Sequence, residues 1–105
     1  MLREEENNKD ALDGALKVQL FFNENFLDCS VNVSKACFEC GISESNLRVQ
    51  FKKRFGKTPI EYLIELRVDY ALRLLSLGSL SIEEVARRSG FFDVKYFSRV
   101  IKKKF

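Results

Sequence analysis

Histidine is absent from this chain of 105 residues. That removes the commonest general base at neutral pH, and no enzyme is expected. Cysteine is scarce: there are three, an odd number. Cys37 and Cys40 form a C-x-x-C, a spacing shared by redox pairs and by half a zinc site. A structural zinc site usually takes four Cys or His ligands, and only Cys29 is left to contribute. The cysteines are therefore expected to be small buried side chains, with no metal and no cofactor. No uncharged apolar run reaches about 18 residues, so no segment is expected to span a membrane. The first ten residues, MLREEENNKD, are acidic and polar, which is not the pattern of a signal peptide. Residues 1–10 read as an acidic linker or the start of a trimmed fragment, and the expected location is cytoplasmic.

What the chain does have is an uneven charge. The net charge is +3. Residues 1–30 carry three basic and seven acidic side chains, a net −4, and residues 31–105 carry fifteen and eight, a net +7. A basic second part points to a polyanionic partner. Alternation of period two is missing throughout, so no sheet is expected and the fold class is all-α.

The chain also repeats itself. LRVQFKKRF at 47–55 and FSRVIKKKF at 97–105 share apolar anchors and basic runs. Leu47 answers Phe97, Phe51 answers Ile101, and Phe55 answers Phe105. Upstream, residues 33–37 align with 82–86, and Gly41 with Gly90, at an offset of 49. The change of offset places a one-residue insertion in the turn after the second glycine. Each unit reads as a short helix, a glycine turn and a second helix, which is the helix-turn-helix pattern.

Capping residues stand where this reading needs them. Asn32 and the box Ser81-x-x-Glu84 can start the first helices, and Ser43 and Asp93 the second helices. Thr58-Pro59-Ile60-Glu61 sets a cap, a first-turn proline and a box glutamate in order. Ile60, Leu63, Ile64, Val68, Ala71, Leu72 and Leu75 then recur at helical steps, and Gly78 ends the run. This predicts a helix over 59–77, roughly 28 Å long, that contacts both units. A further helix is predicted over 11–27, with Val18, Phe22 and Phe26 as core positions. Six or seven helices are expected in all. The predicted organisation is a first helix-turn-helix subdomain at 11–57, a linker helix at 58–77, and a second helix-turn-helix subdomain at 78–105.

In the last helix, Phe97, Ile101 and Phe105 make an apolar stripe. Lys95, Ser98, Arg99 and Lys102 share another face. Ser45, Arg48, Val49 and Lys52 are the counterparts in the first unit. A helix of this diameter fits the major groove, where such side chains can read base edges. The runs Lys52-Lys53-Arg54 and Lys102-Lys103-Lys104 suit phosphates. The same lysines would also favour a helix C-terminus and keep it solvated. Two copies, each behind a helix and a glycine turn, favour the DNA reading.

These residues resemble the DNA-binding domain of AraC/XylS-type transcriptional regulators. The resemblance is carried by Arg67, Ala71, Leu74-Leu75, Ile82, Val85-Ala86, Gly90-Phe91, Asp93, Tyr96-Phe97-Ser98-Arg99 and Lys102. The first half adds Gly41-Ile42-Ser43, Leu47, Phe51-Lys52-Lys53, Gly56, Thr58-Pro59 and Tyr62-Leu63. It covers residues from about 16 to 105 and implies two helix-turn-helix subdomains joined by a long helix. It also implies sequence-specific binding to promoter or operator DNA, usually for activation; RNA polymerase is a further candidate partner. The implied base-reading positions are Ser45, Arg48 and Val49 in the first unit. In the second they are Val94, Lys95, Ser98 and Arg99. Lys52, Lys53, Arg54, Lys102 and Lys103 are the phosphate candidates. Val49 stands where many members carry arginine, and Ala36-Cys37 replaces a common Leu-Ala pair. A last helix and a separate sensing or receiver domain are further features that the resemblance implies for the full-length protein. The alternative is an interaction module that keeps the fold and contacts protein instead of bases. A third reading is a targeting domain once fused to an enzyme.

Overall fold

The start of each helix after the first is set by a side chain that accepts a backbone N–H left unpaired in the first turn. The computed structural model describes residues 14–104 as six helices: α1 Gly14–Asn25, α2 Val33–Cys40, α3 Glu44–Phe55, α4 Pro59–Leu77, α5 Ile82–Arg88 and α6 Val94–Lys104. The Asn32 side chain accepts from the Lys35 N–H at 2.8 Å, and Ser43 Oγ from Asn46 at 3.2 Å. Asp93 Oδ1 accepts from Lys95 at 2.9 Å. Thr58 and Glu61 close a complete capping box ahead of Pro59. Each such cap is worth about 1 kcal/mol. Ser81 accepts from the Glu84 N–H at 3.2 Å, but the expected box is only half made. Both Glu84 carboxylate oxygens turn to Arg87 and Arg88 instead.

The two helix-turn-helix turns use one hydrogen-bond scheme. In the first, the Ile42 N–H donates to Cys37 O at 3.1 Å; in the second, the Phe91 N–H donates to Ala86 O at 3.0 Å. Both close the helix end around a glycine with positive φ, 69° at Gly41 and 90° at Gly90, a conformation that costs other residues energy. The residue after each glycine, Ile42 or Phe91, packs inward. The inserted residue of the second turn is Phe92, which is 90% exposed.

Two separate cores result. The first gathers Val18 and Phe22 of α1, Ala36 and Cys37 of α2, Leu47 and Phe51 of α3, and Leu63 of α4. Tyr62 of α4 adds an aromatic layer, with ring centroids 5.4 Å from Phe51 and 6.3 Å from Phe55. The second gathers Val68 and Ala71 of α4, Val85 and Ala86 of α5, Phe91, and Phe97 of α6. Helix α4 therefore serves both, with the change-over between Leu63 and Val68. Its observed range is the one that caps and apolar spacing predict. The radius of gyration, 15.7 Å, exceeds the roughly 13 Å of one compact body of about 100 residues.

Some core expectations shift. Helix α1 ends at Asn25, so Phe26 lies in the following turn, half-buried against the first core. Residues 11–13 of the predicted first helix lie outside the described residues. Phe97 is buried and Ile101 only partly so, while Phe105 is also outside the described residues.

Cys37 is buried, Cys40 half-buried and Cys29 exposed, all as free thiols. Burial pushes the Cys37 and Cys40 thiols up from their ordinary value, which lowers their reactivity. Among the described residues no group of three or more Cys, Asp or Glu is placed to hold a metal ion. An alkylating reagent is expected to label Cys29 of the native protein first and Cys37 only on unfolding. Elemental analysis of protein purified without added metal is expected to find no stoichiometric zinc. Stoichiometric zinc, or early labelling of Cys37, would refute the packing role.

Candidate nucleic-acid interface

Helices α3 and α6 each bury one stripe and leave the opposite face to solvent. On α3 the stripe is Leu47 and Phe51, and Ser45, Arg48, Val49, Lys52, Lys53 and Arg54 are all exposed. Val49 is 68% exposed, an apolar side chain on a cationic face. Arg48 leans into a groove of about 450 Å³ with Glu44 and the starts of α2 and α4.

On α6 the stripe is Phe97, whose ring centroid lies 5.0 Å from that of Phe91. Lys95, Arg99, Lys102 and Lys103 are exposed, and Ser98 is half-buried. Val94 is partly buried against the second core, so only an edge of it faces outward. The Arg99 guanidinium carbon sits 6.0 Å from the centre of the Tyr96 ring, within cation–π range. Arg99 and Tyr96 also line a cavity of about 670 Å³ between α4 and α6, with Ile64, Val100, Lys103 and Lys104.

The expected base-reading residues thus fall on two exposed helix faces, with Val94 turned partly inward. The phosphate candidates form the last turns of the same helices, where positive charge also suits the helix dipole. Not every nearby cation is equally available. Arg87 and Arg88 pair with Glu84 and hold its carboxyl below the usual carboxylate range. Lys57 pairs with Glu65, which holds the ammonium above its usual range. Lys104 lies 4.0 Å from the same carboxylate.

Residues 36–105 match the model of a family described as a helix-turn-helix domain. The chain is 41% identical over 76 residues to the HTH-type transcriptional activator RhaR of Cronobacter sakazakii, covering 72% of this chain and 27% of that protein. The chain belongs to the AraC/XylS-type helix-turn-helix family. A second relative, the HTH-type transcriptional regulator YidL of Escherichia coli, is 46% identical over 63 residues, covering 60% of this chain and 21% of that protein. The chain spans about a quarter of the length of the curated relatives it matches.

Among solved structures, the C-terminal domain of the two-component response regulator yesN from Fusobacterium nucleatum superposes with a TM-score of 0.78 at 32% identity. The match covers 84% of this chain and 91% of that one. The fold is a tandem helix-turn-helix, and the family's members are DNA-binding regulators of transcription rather than enzymes. No helix among the described residues is long and apolar enough to cross a membrane.

One residue that the structure makes prominent carried no assigned role in the sequence beyond its part in the family resemblance. Arg67, on α4, donates Nε to Phe26 O at 2.7 Å and Nη2 to Asp28 O at 3.0 Å and to Val31 O at 2.8 Å. Besides that resemblance, the signal for it was an arginine inside the apolar pattern of the long helix.

Proposed function

We propose that the chain binds double-stranded DNA in a sequence-specific manner to regulate transcription, with α3 and α6 in successive major-groove segments. The observation that carries the reading is the repetition itself. The same capped helix, glycine turn and second helix occur twice on one shared helix, and each second helix presents an exposed polar and cationic face. Helix α4 has 19 residues and so is about 28 Å long, close to the roughly 34 Å between major-groove segments one turn apart. A pair of readers in one chain takes the place of a dimer. Ser45, Arg48 and Val49 would face bases in one segment, and Lys95, Ser98 and Arg99 in the next. Val94, partly buried, could offer only an apolar edge, suited to a thymine methyl. Lys52, Lys53, Arg54, Lys102 and Lys103 would lie along phosphates.

Three substitutions test the assignment of faces. A guanidinium can pair with O6 and N7 of guanine, so Arg99→Ala is expected to cost about 1–3 kcal/mol at one base position. Lys103→Ala is expected to weaken all sequences about equally. Val49→Arg is expected to raise affinity and add a guanine preference in the other half-site. The measurement is a competition titration of each variant against operators carrying single-base changes, the operator first being selected from a random DNA pool. A uniform loss across that panel for Arg99→Ala would make Arg99 a phosphate contact and overturn the assignment.

A further inference from the structure

Arg67 occupies the step of α4 between Leu63, the last buried residue of the first core, and Val68, the first of the second. Its three acceptors, the carbonyls of Phe26, Asp28 and Val31, all belong to the turn between α1 and α2. They are part of the first unit. Arg67 is half-buried, and burial lowers its pKa from the ordinary value. A guanidinium nevertheless stays charged in proteins, so the cost of burying it is offset by bonds to carbonyl oxygens. The same turn is held from the side by Phe26, whose ring meets Tyr70 of α4 edge-on at 6.0 Å.

The second unit reaches the same spot with its backbone. A Cβ on Gly90 would lie 2.9 Å from Arg67 Nε and 3.2 Å from the Leu27 carbonyl carbon, and nearer still to Phe26 O. Gly90 also has φ of 90°, so two separate conditions call for glycine here. Gly41, its counterpart in the first unit, has open space around the same position. The repeat therefore differs at this point: of the two turn glycines, only Gly90 lies against another part of the molecule. Next to it, Ser89 is buried and its hydroxyl donates to Val85 O at 2.6 Å, which keeps the turn's own polar group satisfied. Three pieces of chain thus meet at one point: the α1–α2 turn, the linker helix and the second helix-turn-helix turn.

We propose that Arg67 and Gly90 form a clamp that fixes the angle between α3 and α6 and so sets the spacing of half-sites the protein accepts. The inference rests on the two-reader proposal above. Arg67 is a positioning residue and touches no base. A shared helix alone leaves each unit free to rock about its own contacts with α4. A point of triple contact at the junction of the two cores removes that freedom. Lysine could keep the charge but has no planar fork to reach three carbonyls at once. Alanine at position 90 would have to push the turn away from Phe26.

The test uses the selected two-half-site operator and derivatives with one base pair inserted or removed between the half-sites. One base pair moves a half-site about 3.4 Å along the duplex and roughly a tenth of a turn around it. The unaltered protein is expected to lose about tenfold or more in affinity for either derivative, the scale of one lost base contact. Arg67→Lys and Gly90→Ala are expected to shrink that penalty to about twofold to threefold while affinity for a single half-site stays the same. If both variants weaken every spacing equally and keep the penalty, the clamp serves stability only and the inference is overturned. If the unaltered protein selects only one half-site, the two-reader proposal itself fails; if it binds both half-sites but ignores their spacing, the two readers stand and the clamp is overturned. A measurement on the unaltered, DNA-free protein stands independently of whether the variants fold. Residual dipolar couplings of α3 and α6 are expected to fit one alignment tensor, and two distinct tensors would overturn the clamp.

Discussion

Phe97→Ala is expected to melt α5 and α6 while α1–α3 stay folded. Phe97 is 2% exposed and, with Phe91, is one of the two largest buried side chains of a core that holds, among the described residues, only five buried residues besides Phe97, two of them alanines. Removing a buried phenyl ring costs about 3–5 kcal/mol, a large part of the 5–15 kcal/mol that holds a typical domain together. No neighbour can fill the space cheaply. Phe91 is already in contact with the ring, and Val85 and Ala86 are fixed on a helix of seven residues. The first core shares none of its buried residues with the second. Its part of α4 is nucleated independently by the Thr58–Glu61 box. Amide hydrogen exchange is the appropriate measurement, because it reports local opening element by element. Protection should fall in α5, α6 and the end of α4 and persist around Phe22, Leu47 and Phe51. An equal loss across α1–α3 would mean that the two cores unfold as one unit, with the Arg67 contact strong enough to join them.

The parts of this fold that could be read from the sequence are those decided locally. Caps and glycine turns involve residues within five positions of one another, so Asn32, Ser43, Thr58, Ser81 and Asp93 marked five helix starts in advance. The long helix was legible because its apolar spacing, proline and terminal glycine agree. Where two local partners compete, the reading was less complete. Glu84 could have closed a capping box, but two arginines one turn further on outbid a backbone N–H for its carboxylate. Long-range partners were not legible at all. Phe26 was expected as a core ring, and its more consequential atom is its carbonyl oxygen, which binds a guanidinium 41 residues away. Gly90 read as a turn former like Gly41, yet the close approach that sets it apart comes from the other unit. Within the site, helical periodicity placed Arg99 on a face and the family resemblance added Val94, but neither gave the Tyr96 ring under Arg99 or the core contact of Val94.

Binding to the selected operator is expected to weaken about 500-fold when salt rises from 50 to 200 mM. The figure follows from counting cations placed to meet phosphates. Lys52, Lys53, Arg54, Lys102 and Lys103 are exposed on the last turns of α3 and α6. Lys57, Arg87 and Arg88 lie outside those two last turns, and Lys104 is not one of the phosphate candidates, so they are left out of the count. Five neutralised phosphates give a log–log slope of about −4.5, at −0.9 each. Removing one cation should change that slope by about one, so Lys103→Ala is expected to bring it to roughly −3.6. Arg99→Ala, by contrast, should leave the slope unchanged if its guanidinium meets a base. The two variants can then lose similar affinity and still be told apart by salt alone. A module whose cationic helix ends served only the helix dipole and solubility would bind its partner through other groups. Its affinity for DNA would be weak and nonspecific, without preference for any one operator. A fluorescence anisotropy titration at five or six salt concentrations decides between the two. A slope shallower than about −1.5, or one that Lys103→Ala leaves where it was, would remove the basic runs from the interface and favour the protein-contacting alternative.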